Sequence, residues 1–175
     1  MAVNISGQSI PRREDTRFLT GKAKFTADFC EEDQLHGAVL RSPLAHAIIK
    51  NIDLEAASKA AGVIGIFTHD DLAADGIGPI PCAAVSAVQT VEPIIVPPRP
   101  ALANGRVRHV GDPIAFIVAE SPTSALDALD LIDVDYEEYP ALINSTDALM
   151  DGAPQIWEEA PGNRCFRFEK GDQTG

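Results

Sequence analysis

The feature that most constrains the fold is an unbroken apolar run at residues 114–119. The run lacks the polar alternation of a half-exposed strand, so it predicts a strand that is buried on both faces. Another apolar stretch, residues 107–110, precedes it, and Gly111-Asp112-Pro113 separates the two. This spacing predicts a hairpin-like reversal in which Gly111 supplies a positive φ if the turn requires one.

The best-defined helix begins at Ser121, which is an N-cap residue, with Pro122 at the first helical position. Apolar residues then recur at helical spacing as far as Ile132. A second helix is predicted at residues 54–61, and a single helical turn at 69–74 is predicted to be capped by Thr68 and Asp71. A buried strand is predicted at 63–67, and further strands at 35–40, 48–52, 133–137 and 141–143. Two principal helices are too few to cover both faces of a parallel sheet, so the order predicts an α+β fold with largely non-sequential strand pairing.

Two segments lack this patterning. Residues 79–100 hold six of the 13 prolines and predict a long irregular stretch. From residue 151 onward Gly, Pro and charged residues predominate. We therefore predict one compact domain over residues 1–150 and a tail over residues 151–175 that needs another surface to pack on.

Charge and hydropathy narrow the choice of partners and compartment. The 14 Lys and Arg residues against 26 Asp and Glu give a net charge of −12, which repels phosphate backbones and anionic lipid. Nucleic acid and membrane surfaces are therefore poor partner hypotheses. No apolar run approaches the roughly 20 residues of a membrane span, and residues 1–8 lack the pattern of a signal peptide, so we expect a cytoplasmic location.

The cysteines and histidines show no pattern of a known site. Three cysteines are too few and too far apart for a disulfide scaffold and are predicted to be reduced, and no two histidines fall three to five residues apart as a local metal site requires. The residues concerned are Cys30, Cys82, Cys165, His36, His46, His69 and His109. Cys82 with one histidine is the one metal-free nucleophilic pair that the composition permits, and no motif supports it.

Three carboxylates, Asp133, Asp135 and Glu137, share one face of a predicted strand. They are able in principle to bind a hard cation, but the alternation favours a solvated face. The glycines form no phosphate-binding pattern, and the short basic pairs Arg12-Arg13 and Lys22-Ala-Lys24 are typical of solvated surface. From its residues alone, the chain is thus predicted to have no catalytic, cofactor-binding or metal-binding residue.

Three segments nevertheless resemble a known family. They are residues 13–21 (Arg-Glu-Asp-Thr-Arg-Phe-Leu-Thr-Gly), 35–47 (Leu-His-Gly-Ala-Val-Leu-Arg-Ser-Pro-Leu-Ala-His-Ala) and 107–113 (Val-Arg-His-Val-Gly-Asp-Pro). In this order they are similar to the start of the molybdenum-binding large subunit of the xanthine dehydrogenase, aldehyde oxidase and aerobic carbon monoxide dehydrogenase family. The resemblance implies an α/β hammerhead over residues 1–150 and a connector over 151–175 that leads towards an absent molybdenum-cofactor domain.

The resemblance also implies a role. The chain would be a non-catalytic structural and assembly domain, without molybdenum, iron, flavin or turnover of its own. Its partners would be the downstream molybdenum-binding domains and separate iron–sulfur and FAD subunits, and the parent enzyme, whose cofactor would be molybdopterin, would be of the carbon monoxide dehydrogenase type. A stand-alone hammerhead binding module with no redox role is the alternative, because a fold alone does not determine function.

The same resemblance predicts different fates for the aromatic residues of the tail. A connector that crosses the hammerhead would bury Trp157, the one tryptophan of the chain, and leave Phe166 and Phe168 uncovered. We therefore expect the first part of the tail to be packed on the domain and its last part to await a partner.

Overall fold

The computed structural model describes residues 7, 9–83, 90 and 92–171. Its contacts divide the chain into two compact units, Met1–Gln34 and Leu35–Gly175. The first unit contains helix α1 (Asp15–Leu19) and a 3-10 helix, Thr26–Asp28. Neither is among the elements that the sequence predicts.

The second unit contains two three-stranded sheets, and every strand pair in the described part of the chain is antiparallel. The strands are β1 (His36–Arg41), β2 (Ala47–Asp53), β3 (Val63–Phe67), β4 (Arg106–Val107), β5 (Pro113–Ala119) and β6 (Asp133–Glu138). The helices are α2 (Glu55–Ser58), α3 (His69–Ala74) and α4 (Pro122–Leu129). The first sheet has the order β1-β5-β3 and the second β4-β2-β6. The α+β class and the non-sequential pairing are therefore confirmed.

Successive strands alternate between the two sheets, so the chain crosses from one sheet to the other after every strand except β6. Two of these crossings, the one after β1 and the one after β4, lie next to each other. The two crossings are joined by hydrogen bonds, in which the Ser42 N–H donates to the Asp112 carbonyl (2.9 Å) and the Gly111 N–H donates to the Ser42 carbonyl (2.8 Å). Gly111 has φ +87°, so the predicted positive φ is confirmed. The predicted hairpin is wrong, because β4 pairs with β2 while β5 pairs with β1 and β3. The turn moves the chain from one sheet to the other instead of folding it back on itself.

Two clusters of buried residues form the core. One lies where the sheets meet and contains Ala47, Ala103, Val107 and Ile114, with Leu40, Leu44, Ile49, Ile52 and Tyr136 packed around them. The other lies between α4 and the first sheet and contains Ala38, Ala119, Ala125 and Leu129. Small residues on both sides of this second cluster let α4 pack against β1 and β5.

Helix α4 begins as predicted. The Ser121 Oγ accepts a hydrogen bond from the Ser124 N–H (3.0 Å), and Pro122 occupies the first turn. The helix ends at Leu129, three residues earlier than the pattern indicates. Helix α3 also has its predicted cap, since the Asp71 carboxylate accepts the Thr68 N–H (2.7 Å) and this bond lowers the pKa of Asp71.

Three local predictions differ from the structure. The helix predicted at residues 54–61 is only the four-residue α2, because the N–H groups of Lys59 and Ala60 bond to carbonyls three residues back and tighten the turn. Strand β3 is only half-buried, since Ile64 and Phe67 are exposed. Residues 141–143 form no strand. Tyr139 donates its N–H to the carbonyl of His46, the residue before β2, and Pro140 then interrupts the ladder.

None of the helices in the part of the chain that the structure describes is long and apolar enough to cross a membrane.

Candidate interaction surfaces

The first sheet has one covered face and one open face. Ala38 and Ile117 are cross-strand partners on the face that α4 covers. Val39, Phe67 and Phe116 lie on the opposite face, because Phe116 is the partner of both Val39 and Phe67. Phe67 is 40% exposed and Phe116 37% exposed. We call this opposite face, formed by Val39, Phe67, Phe116 and Val118, the aromatic face.

A glycine lets the Phe116 ring lie close to the sheet. A Cβ atom at Gly37 would come within 2.6 Å of Phe116 Cζ, closer than real Cβ contacts allow. The ring therefore lies over the backbone of β1. The result is a broad apolar surface where most sheets of this kind carry polar side chains.

The tail contacts the second unit through Arg108. The Arg108 Nε donates to the Ile156 carbonyl (3.1 Å), and the guanidinium carbon lies 3.8 Å from the centroid of the Trp157 ring. A second N–H of the guanidinium donates to the Arg106 carbonyl (3.3 Å). This cation–π stack and the two hydrogen bonds hold the Arg108 side chain in one orientation.

Polar side chains order the tail as far as residue 163. The Asn163 amide donates to the carbonyls of Ala148 (3.0 Å) and Pro154 (2.9 Å), and its oxygen accepts the Ile156 N–H (2.9 Å). Ala160, inside this loop, is 1% exposed. The tail is therefore packed through this point by bonds that its own residues make, and just beyond it the Cys165 carbonyl accepts the Ile95 N–H (2.8 Å).

The aromatic residues of the tail lie as the resemblance predicts. Trp157 is half-buried against Arg108, whereas Phe166 is 51% and Phe168 53% exposed. The division into a domain of residues 1–150 and a connector of 151–175 stays a prediction.

A cleft of about 480 Å³ opens beside Trp157. Apolar groups form most of its wall, and Arg99, Arg106 and Arg108 line it together with Asp112. Burial lowers the pKa of Arg108, and the neighbouring charge of Arg106 lowers it further. Among the described residues, none of the three arginines forms an ion pair. The cleft thus brings together three arginine side chains that form no ion pair with a described carboxylate.

The sequence shows little sign of this cleft. Arg106 and Arg108 flank the buried Val107, and this alternation of basic residues about an apolar one is the available signal. This signal does not identify Trp157 as the partner of Arg108. The tail residue that accepts the hydrogen bond from Arg108, Ile156, is 48 residues further along the chain.

The cysteines and histidines are dispersed. Cys30 and Cys82 are exposed and Cys165 is half-buried, and all three are free thiols. His46 is 3% exposed, with its Nδ1 atom 3.1 Å from the Pro140 carbonyl and its ring against Tyr139. In the described chain, Cys82 forms no hydrogen bond to His36, His46, His69 or His109. The structure therefore does not support a nucleophilic pair of Cys82 with a histidine. Within the same residues no three His, Cys, Asp or Glu side chains are grouped as a metal site requires, so none is assigned to a metal or cofactor.

The three carboxylates of β6 are exposed, as the alternation predicts. Glu137 forms an ion pair with Lys50 and accepts a hydrogen bond from the Tyr139 hydroxyl (3.1 Å). These contacts lower the pKa of Glu137, and the Glu137 carboxylate raises the pKa of Lys50. Asp133, Asp135 and Glu137 therefore form a solvated strand face.

Comparison with known proteins accounts for this architecture. A domain family described as "Aldehyde oxidase and xanthine dehydrogenase, a/b hammerhead domain" matches residues 20–140. The nicotine 6-hydroxylase large subunit of Paenarthrobacter nicotinovorans is 37% identical over 164 residues, which are 94% of this chain and 19% of that protein. The carbon monoxide dehydrogenase large chain of Afipia carboxidovorans is 33% identical in an alignment that covers 99% of this chain and 22% of that protein.

A solved structure gives the same result. The aldehyde oxidoreductase of Desulfovibrio gigas superposes on 86% of this chain and 16% of its own, with a TM-score of 0.73 and 29% identity. The chain thus spans about a fifth of the length of the relatives that it matches. The hammerhead fold is confirmed, and the chain belongs to the a/b hammerhead domain family of aldehyde oxidase and xanthine dehydrogenase.

Proposed function

We propose that this chain is the non-catalytic hammerhead domain of a cytoplasmic molybdenum hydroxylase large subunit, and that it acts by packing against the molybdenum-binding domains of that subunit. The aromatic face is the observation that carries the proposal. Phe67 and Phe116 lie side by side on a sheet face that the described residues leave open, although α4 covers the other face of the same strands.

Burial of this face supplies a driving force for assembly. Full burial of an exposed Phe side chain contributes about 1.5–3 kcal/mol. Phe67 is 40% and Phe116 37% exposed, so each ring can still contribute a part of that energy on assembly. Large exposed apolar patches on soluble domains mark sites of interaction. The two relatives, a large subunit and a large chain, are about five times as long as this chain. Their remaining sequence is long enough to form a domain that covers the aromatic face.

The chemistry of the parent enzyme would then lie outside this chain. The described residues offer no metal-binding group of side chains, and the shifted pKa values belong to an ion pair, a helix cap, a packed arginine and the half-buried Tyr136. In this proposal the parent enzyme uses molybdopterin, with iron–sulfur clusters and FAD on partner subunits, and resembles the carbon monoxide dehydrogenases. A stand-alone binding module is the second candidate, and the arginine-lined cleft is the observation in its favour.

The test separates assembly from catalysis in the complete enzyme. Phe116→Ser should reduce the yield of assembled, molybdenum-loaded enzyme severalfold, while turnover per bound molybdenum stays unchanged. Leu126→Ser is the matched control, because Leu126 is a 59% exposed apolar residue on α4. A normal yield for Phe116→Ser, or a loss of turnover per molybdenum, would contradict the proposal.

A further inference from the structure

We propose that the cleft beside Trp157 is a binding site for a carboxylate carried on a flat apolar body. The inference concerns a ligand of this chain itself and does not depend on the aromatic face. Its evidence is the charge, the shape and the preorganised hydrogen-bond donors of the cleft.

The charge of the cleft is the first argument. Arg106 is close enough to Arg108 to lower its pKa, and burial lowers that pKa further. The carboxylates of Asp112, Glu158 and Glu159 act on Arg108 in the opposite direction, yet each is too distant to form an ion pair with it. Repulsion between partly desolvated guanidinium groups is relieved when an anion binds between them.

The Asp112 carboxylate offsets part of this positive charge, but it does not pair with a guanidinium group. It accepts the backbone N–H of Arg108 (2.8 Å) and lies 3.6 Å from the His109 Nδ1. Arg99, on the other side of the cleft, uses its backbone carbonyl to accept the Ile80 N–H (2.8 Å). Its side chain forms no ion pair with any described residue.

The Arg108 side chain is held ready for a ligand. Its Nε and one Nη are bonded to the carbonyls of Ile156 and Arg106, and its plane is fixed by Trp157. The other Nη has no hydrogen-bond partner in the described chain. A guanidinium that is already immobile loses little entropy when it binds a carboxylate.

The residues that line the cleft determine the size and polarity of the part of the ligand that carries the carboxylate. Ile80, Pro97, Pro100 and Trp157 give the cleft an apolar lining, and its volume of about 480 Å³ falls within the range of small-molecule sites. A phosphate dianion is disfavoured relative to a singly charged carboxylate, because the carboxylates of Asp112, Glu158 and Glu159 repel its second negative charge. A single carboxylate on an aromatic or aliphatic body fits both the charge and the walls.

The experiment uses Trp157 as the reporter, since it is the one tryptophan of the chain. Benzoate is titrated onto the protein while the indole N–H signal is followed by NMR. Benzamide is the uncharged control of the same shape. We expect a saturable shift with benzoate and none with benzamide or inorganic phosphate. An equal response to benzamide, or a response to phosphate in place of benzoate, would overturn the proposal.

Two variants test the assigned residues. Arg108→Gln should weaken benzoate binding at least about tenfold, as expected for loss of a charge-assisted hydrogen bond. Arg99→Gln should weaken it about threefold without disturbing the fold, because the hydrogen bond that Arg99 makes to Ile80 is through its backbone. Arg167→Gln, which removes the same charge from an arginine paired with Glu169, should bind like the wild type. Unchanged binding by Arg99→Gln together with Arg108→Gln would refute the site.

A free acid and an acidic side chain of a polypeptide present the same group. A parallel titration with the peptide acetyl-Leu-Glu-Leu-amide distinguishes these sources. Binding of benzoate alone identifies a small-molecule site, and tighter binding of the peptide identifies a polypeptide segment as the ligand. Failure of both would overturn the inference and leave the assembly role untouched.

Discussion

The two faces of the first sheet are built from the same strands but carry side chains of different size and exposure. On one face Ala38, Ile117 and Ala119 lie under α4 and are buried. On the other face Phe67 and Phe116 are open. The face under α4 carries small residues, because the helix packs closely against it. The aromatic face carries large rings, and no helix among the described residues packs on it. The uniform apolar character of β5 thus reflects two different surfaces on one strand, and the predicted burial on both faces is wrong for the face that carries Phe116.

The largest effect should come from a change on the covered face. Ile117 is 0% exposed, so Ile117→Ala removes buried methyl groups and leaves a cavity. We expect it to lower the free energy of unfolding by about 2–5 kcal/mol. Phe116→Ala, one residue away on the open face, should cost only about 1 kcal/mol, because its ring already contacts solvent. Urea denaturation measures both, and equal losses would mean that the faces do not differ.

A change at the turn between the sheets should affect both faces alike. Gly111 has φ +87°, where a β-branched residue is strained, so Gly111→Val should cost about 1–2 kcal/mol. Gly78→Val is the control, because Gly78 has an ordinary φ and nothing within 4 Å of an added Cβ. Thermal unfolding compares the two variants. Similar melting temperatures would show that the turn tolerates the side chain.

A smaller effect should follow from weakening α4, the helix that packs on the covered face. Ser121→Ala removes the side chain that caps α4 and should cost about 1 kcal/mol. Amide exchange should accelerate in α4 and leave the second sheet nearly unchanged. Ser121→Asp, which keeps a capping oxygen, should restore the slow exchange, and fast exchange in that variant would argue against the capping role.

The smallest effect concerns α3, which follows the edge strand β3. The pKa of Asp71 is lowered in the folded chain because its carboxylate accepts the Thr68 N–H. The stabilisation is therefore present above the ordinary pKa near 4 and is lost as the pH falls through the lowered value. Asp71→Asn should cost about 0.5 kcal/mol at pH 7. The difference from the wild type should shrink below pH 4, and a constant difference across pH 2–7 would contradict this assignment.

Local chemistry predicted the elements well. The cap at Ser121, the positive φ of Gly111 and the alternation that became β6 all depend on residues close together in the chain. A cap or a turn is determined by a few neighbouring atoms, so a short stretch of sequence contains the necessary information.

Pairing between distant segments was not predictable in the same way. The residues 111–113 favour a hairpin locally, but β5 lies between β1 and β3 because that position buries Ile117. The partner of Arg108 was not predictable either, since Trp157 is distant from Arg108 in the sequence and meets it only in the folded chain. Such contacts depend on the burial of the whole chain, which no single pattern expresses. The family resemblance supplied the hammerhead, and it contained no information about the cleft.

The register of the first sheet determines when this domain is able to fold during synthesis. His36 of β1 pairs with Ala119 of β5, so the earliest strand of the sheet remains without its partner until nearly the whole domain has been translated. At about 5–20 residues per second, the nascent chain carries β1 unpaired for on the order of ten seconds. The strand edge and the apolar side chains of β1 are open to ribosome-associated chaperones throughout that interval. Slower translation prolongs this interval, in which an unpaired strand edge favours aggregation.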